Sequence, residues 1–127
     1  MSYKNYRHDL REAAMDKSLV GKIENADIVA SASNFSCQDS VSLSIKLSPT
    51  KDTVEEILYE CSGCLLSQAS SAILVKYAKS KNLSELANIS NQNIYQILGI
   101  EENSGRADCF LLAWKTFLEK INSIGKY

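Results

Sequence analysis

From residue 39 to residue 47 apolar and polar side chains alternate without a break. Val41, Leu43, Ile45 and Leu47 fall on one side, and Ser42, Ser44 and Lys46 on the other. A period of two belongs to a strand with one face in a core, so this segment predicts a half-buried β-strand. Ser48-Pro-Thr-Lys-Asp52 follows with turn chemistry, and 53–60 is expected to return as an antiparallel partner, although Val54-Glu-Glu-Ile-Leu58 can also open a helix. Ile28, Val29 and Ala30 within 26–31 predict a third strand.

Beyond Cys64 the period changes. Leu66, Ala69, Ile73 and Tyr77 recur at helical spacing, and no glycine or proline interrupts the chain before Gly99, so a helix is expected over about 65–79. Two shorter helices are expected at 82–87 and 91–98, the second started by Ser90 or Asn91 as a cap and stopped by Gly99. Phe110, Ala113 or Trp114, Phe117, Ile121 and Ile124 mark a C-terminal amphipathic helix. Near the start, Tyr6, Leu10 and Ala13 or Ala14 suit a short helix ending before Gly21. Strands come first and helices afterwards, which predicts an α+β fold.

At 127 residues, with 45% hydrophobic and 23% charged positions, the chain fits one domain, 1–127, with a buried core. Fourteen Lys+Arg against fifteen Asp+Glu leave no basic excess for nucleic acid or an anionic membrane. No apolar run approaches the roughly 20 residues of a membrane span, and the first residues lack the apolar segment of a signal peptide. The cytoplasm is the expected compartment.

Four cysteines in a reducing compartment are expected to be thiols. Cys37 precedes a strand, and Cys64 and Cys109 each precede a helix. Junctions are where side chains converge, and the positive end of a helix dipole favours the thiolate that binds metal or attacks sulfur. Each cysteine alone reads more readily as a small buried hydrophobe, and three of them at such junctions weaken that reading. Asp39 stands two residues after Cys37, so an extended stretch points both side chains to one side, although Asp before a strand is also an ordinary turn residue. Cys61-Ser-Gly-Cys64 has the two-residue gap of half a zinc site or of a thiol–disulfide pair, without a second such pair or a thioredoxin-like βαβ context. His8, the only histidine, reads as a surface residue, and Lys76, Lys79 and Lys81 as a solvated face.

Taken together, Cys37-Gln-Asp39, then Gly63-Cys64 with Ala69-Ser-Ser71, then Arg106-Ala-Asp-Cys109-Phe-Leu-Leu-Ala-Trp114 resemble the U-type iron–sulfur assembly family of IscU, the N-terminal domain of NifU and SufU. The resemblance runs from about Tyr3 to the last helix. It implies a three-stranded antiparallel sheet packed against helices. It also implies that Cys37, Asp39, Cys64 and Cys109 converge on one exposed site for Zn2+ or a transient 2Fe-2S cluster. Cys61 has no counterpart in the motif. Three thiolates suit zinc and iron, while a harder, weaker carboxylate leaves a position that can open.

The implied partners are a cysteine desulfurase of the SufS, IscS or NifS type and downstream iron–sulfur acceptors. Cys37 is the candidate persulfide acceptor and Cys109 the alternative. Asp108 stands where IscU proteins carry a histidine, Glu101-Glu-Asn-Ser-Gly-Arg106 replaces their proline-containing chaperone segment, and Gln38 replaces the usual glycine. Arg106 and Trp114 resemble SufU proteins, but the insertion many of those carry between the last two ligand cysteines is absent. The rival expectation is a small structural zinc-binding interaction module without sulfur chemistry. A thiol oxidoreductase using Cys61 and Cys64 is a third.

Overall fold

The computed structural model describes residue 12 and residues 15–34, 39–63, 65–98 and 107–124, with the backbone alone at 34, 65, 66, 107–110 and 124. Three strands, β1 (Ile28–Asn34), β2 (Asp39–Leu47) and β3 (Val54–Ser62), form one antiparallel sheet in the order β1-β2-β3. Four helices follow: α1 (Leu65–Ala78), α2 (Leu83–Ala87), α3 (Asn91–Leu98) and α4 (Ala107–Ile124). The α+β arrangement is the one expected.

The alternation along β2 does the work assigned to it. Val41, Leu43, Ile45 and Leu47 are buried, and the register sets Leu43 against Ala30 on one side and Tyr59 on the other, with Ile45 against Ile28 and Ile57. A one-residue slip of β2 would turn that row to solvent, so the buried face itself fixes the register. Each such side chain taken out of water contributes roughly 1.5–3 kcal/mol before chain entropy is counted. The opposite face carries Ser31, Ser33, Ser40 and Ser42.

The sheet's edges fall a little beyond the expected bounds. β3 extends to Ser62, because Ser40 still pairs with Ser62 past the end of the apolar pattern. β1 begins at Ile28 and runs to Asn34, since Ser33 and Asn34 find partners in Ser40 and Asp39 that composition does not reveal. The Glu-Glu pair of β3 does not open a helix, because Val54 and Ile57 are needed on the core face and both glutamates stay exposed.

Between β2 and β3, Asp52 gathers the turn. Its Oδ1 accepts bonds from Thr50 Oγ1 at 2.6 Å and from Ser48 Oγ and Thr53 Oγ1 at 3.2 Å each. These hydroxyls hold the Asp52 carboxyl below the usual carboxylate range, Thr50 contributing most. Lys51 takes a positive φ of 64° there, and its ammonium reaches Asp27 at 2.8 Å, tying the turn to the start of β1.

The helices cover one sheet face, α1 over β3 and α4 over β1 and β2, with α1 and α4 packed together. Small residues on α1 permit that closeness: Ser67, Ala69, Ser70, Ser71 and Ala72 are all buried, as are Leu74, Val75 and Ala78. Ile73 and Tyr77, expected on the core stripe, pack only partly against it. Burial extends further round α1 than its apolar spacing shows, because serines fill the remaining contact. On α4, Leu111, Ala113, Trp114, Phe117 and Ile121 form the core face.

Ser90 is the cap of α3, accepting from Asn93 N at 3.2 Å while Asn93 Oδ1 accepts from Ser90 N at 3.1 Å. Asn82 caps α2 by accepting from Ser84 N at 2.8 Å. The expected stop at Gly99 and the N-terminal residues Tyr6, Leu10, Ala13 and Ala14 lie outside the described residues, as does His8. Asp16 N bonds Glu12 O at 3.1 Å, a single helical step. From there residues 19–21 run beside β3, Tyr59 N donating to Leu19 O and Gly21 N to Tyr59 O. No helix among the described residues is long and apolar enough to cross a membrane.

Candidate metal centre

The first residue of β2 is Asp39, at the end of the sheet where β1 finishes at Asn34 and β3 at Ser62. It shares a face with Val41 and Leu43, so its carboxylate turns inward toward the helices and not into the turn, and it is 1% exposed. A buried carboxylate is costly without bonded partners. Ser67, in the first turn of α1, supplies one by donating its hydroxyl to Asp39 Oδ2 at 2.8 Å. Ser71 Oγ in turn donates to Ser67 O at 2.9 Å.

The other oxygen lies against the backbone of Gly63. Gly63 has φ of +140°, and a methyl group there would sit 2.8 Å from Asp39 Cγ, 2.9 Å from its Cα, and well inside contact with Oδ1. Both conformation and space therefore demand glycine at this position. Its carbonyl accepts from Gln68 Nε2 at 3.1 Å, and Gln68 Oε1 accepts from Lys17 Nζ at 3.3 Å. Lys76, further along α1, pairs with Asp16, and that ammonium, followed by Ser18, holds the Asp16 carboxyl far below the usual range. The segment at 16–18 is thus fastened to α1 at two points.

Of the four residues expected to converge, Asp39 is the one whose side chain the structure describes. Cys37 and Cys64 lie outside the described residues, the latter flanked in sequence by Gly63 and Leu65. Cys109 falls within the first turn of α4, which begins at Ala107, rather than just before the helix as its spacing suggested; its side chain and that of Asp108 are outside the description. The helix starts earlier because Ala107 and Asp108 join it ahead of the first apolar residue, where periodicity gives no signal. The fit of a metal to this corner rests on the carboxylate itself. It is buried, held at one oxygen, and cradled at the other by the residue preceding a cysteine. Thiolates joined to such an oxygen make a donor set for zinc or iron.

Ser67, Gln68 and the contact of Gly63 with Asp39 were not foreseen from the residues alone. Their one sequence signal is position, since Gly63 directly precedes Cys64 and Ser67 falls in the first turn of the helix that follows. Cys61 sits opposite Val41 in the register, on the helix side of the sheet, partly buried against the core. Two residues before it, Tyr59 is held above its ordinary phenol pKa by burial first, then by Cys61 and Asp16.

Residues 5–126 match the NifU-like N terminal domain. The IscU iron–sulfur cluster assembly scaffold protein of Thermotoga maritima is 24% identical over 137 aligned positions, covering 95% of this chain and 95% of that one. The zinc-dependent sulfurtransferase SufU of Bacillus subtilis is 27% identical over 113 positions, covering 76% of this chain and 75% of its own. Among solved structures, a protein from Fervidobacterium islandicum described as an iron–sulfur cluster assembly scaffold for the SUF system superposes with a TM-score of 0.76 at 27% identity, covering 95% of this chain and 99% of that one. With nearly its whole length matched and its sheet and helices in the same arrangement, the chain belongs to the NifU-like N-terminal domain family.

Proposed function

We propose that this protein is an iron–sulfur cluster assembly protein that accepts sulfur from a cysteine desulfurase on a site made of Cys37, Asp39, Cys64 and Cys109. Family membership supports the class of function. The observation that carries the site is the buried Asp39 carboxylate seated against Gly63, one residue before Cys64. Burying a carboxyl group costs free energy, and a ligand position gives this one a function.

In this reading the site holds Zn2+ during sulfur transfer, or a 2Fe-2S cluster as cargo during assembly. Cysteine ligands bind as thiolates, so the same sulfur atoms serve as ligands and nucleophiles. Cys37 is the acceptor: its thiolate attacks the outer sulfur of a desulfurase persulfide, a new S–S bond forms on Cys37, the old one breaks, and the desulfurase leaves as a thiolate. Cys64 and Cys109 would hold the metal together with Asp39, and Asp39, the weakest donor of the set, would set how readily the Cys37 thiolate comes away. In the scaffold form Cys109 takes the first sulfur. Downstream acceptors of the sulfur or cluster complete the route, in the cytoplasm.

A structural zinc module without sulfur chemistry is not favoured, because the relatives that match over most of the chain are named as cluster scaffolds or a sulfurtransferase. The direct test is the turnover of a cysteine desulfurase with and without this protein. Stimulation that disappears in Cys37→Ser is expected. Unchanged turnover at saturating protein would overturn the proposal.

A further inference from the structure

At Asp39 the two oxygens are not equivalent. Oδ2 accepts the Ser67 hydroxyl at 2.8 Å, and both residues are buried, Ser67 at 3% and Asp39 at 1% exposure. Oδ1 faces the Gly63 backbone, and the space a Gly63 side chain would need is filled by that oxygen, Cγ and Cα of Asp39. The carboxylate is therefore held from α1 on one side and by the Gly63 peptide on the other.

A serine in the first turn of a helix ordinarily bonds neighbouring backbone. Ser67 reaches across to the sheet, while its own carbonyl is covered by Ser71 Oγ at 2.9 Å. We infer that Ser67 is a positioning residue for the metal site, holding the Asp39 carboxyl in place through its bond to Oδ2. This rests on the reading of Asp39 as a ligand.

Outer partners of this kind orient a ligand before the metal arrives, and their loss typically lowers affinity about 10–100-fold. The test is zinc affinity, measured by competition with a chromogenic chelator, together with the visible spectrum of the cobalt-loaded protein, in wild type, Ser67→Ala, Ser67→Thr and Asp39→Ala. Ser67→Ala is expected to bind zinc about 10–100-fold more weakly with an altered cobalt spectrum. Ser67→Thr, which keeps the hydroxyl, is expected to restore both. An Asp39→Ala variant that loses affinity beside an unaltered Ser67→Ala would overturn the role of Ser67 and leave Asp39 a ligand. Wild-type affinity in Asp39→Ala would overturn the site and this inference with it.

Discussion

Asp39 and Gly63 are fitted to each other: the carboxylate at the head of β2 occupies the space where any side chain at residue 63 would have to go. The pairing Ser40↔Ser62 brings them side by side, and the positive φ of Gly63 turns the chain there from strand toward helix. An acidic residue at the head of one strand is thereby placed against Gly63, which follows the next strand and precedes Cys64 in sequence.

Gly63→Ala is expected to destabilise the protein by about 1–3 kcal/mol, because a methyl at positive φ is strained and also displaces the Asp39 carboxylate. Metal capacity should fall with stability in this variant. Thermal unfolding and metal content of the purified protein check both. Unchanged values would mean that the contact is not required.

The cysteines should sort into two classes. Cys37→Ser, Cys64→Ser and Cys109→Ser are expected to abolish sulfur acceptance, whereas Cys61→Ser should retain most of it, since Cys61 packs on the core side of β3 against Val41. Persulfide formed after incubation with a desulfurase and cysteine is the readout. Equal activity in all four variants would remove the site assignment. An obligatory Cys61–Cys64 disulfide would favour the oxidoreductase reading instead.

Trp114 is fully buried on α4, with its ring 5.9 Å from that of Tyr77. Trp114→Ala is expected to cost about 3–5 kcal/mol from lost burial and the cavity left behind. Denaturant unfolding measures it directly. A loss below about 1 kcal/mol would show that the α1–α4 contact collapses to fill the space.

Acid should weaken the fold through Asp27. Its carboxyl is held below the usual range by Lys51 first and by Leu47 N–H second, both at 2.8 Å. A carboxyl with a depressed folded-state pKa contributes stability that is complete above its unfolded value near 4 and is lost as pH falls through the lower folded value. Stability is therefore expected to decline from about pH 5 downward, and Asp27→Asn to decline less steeply over that window. Thermal midpoints from pH 7 to pH 3 test it, and parallel curves would exclude Asp27 as a contributor.

Most of the fold was legible because its elements announce themselves by period. The β2 alternation gave the observed bounds, and the helices after Cys64 followed from apolar spacing and from caps such as Ser90. What could not be read were contacts that polar residues make across the chain. Ser33 and Asn34 extend β1 only because Ser40 and Asp39 pair with them, and the burial of Ser70 and Ser71 depends on a second helix lying alongside. Asp39 was selected by its place in a motif, but its inward orientation and its bond to Ser67 belong to the tertiary structure. Spacing along a chain records which residues share an element, and it carries no mark of which serine will face which carboxylate.

The central claim is tested most directly by the metal and acid-labile sulfide content of protein purified without oxygen, before and after reconstitution with iron, cysteine and a desulfurase. The account predicts bound zinc, or iron with matching sulfide after reconstitution, in wild type and Cys61→Ser. It predicts loss of that content in Cys37→Ser, Cys64→Ser, Cys109→Ser and Asp39→Ala. A wild-type protein that holds neither metal nor sulfide under any of these conditions would contradict it.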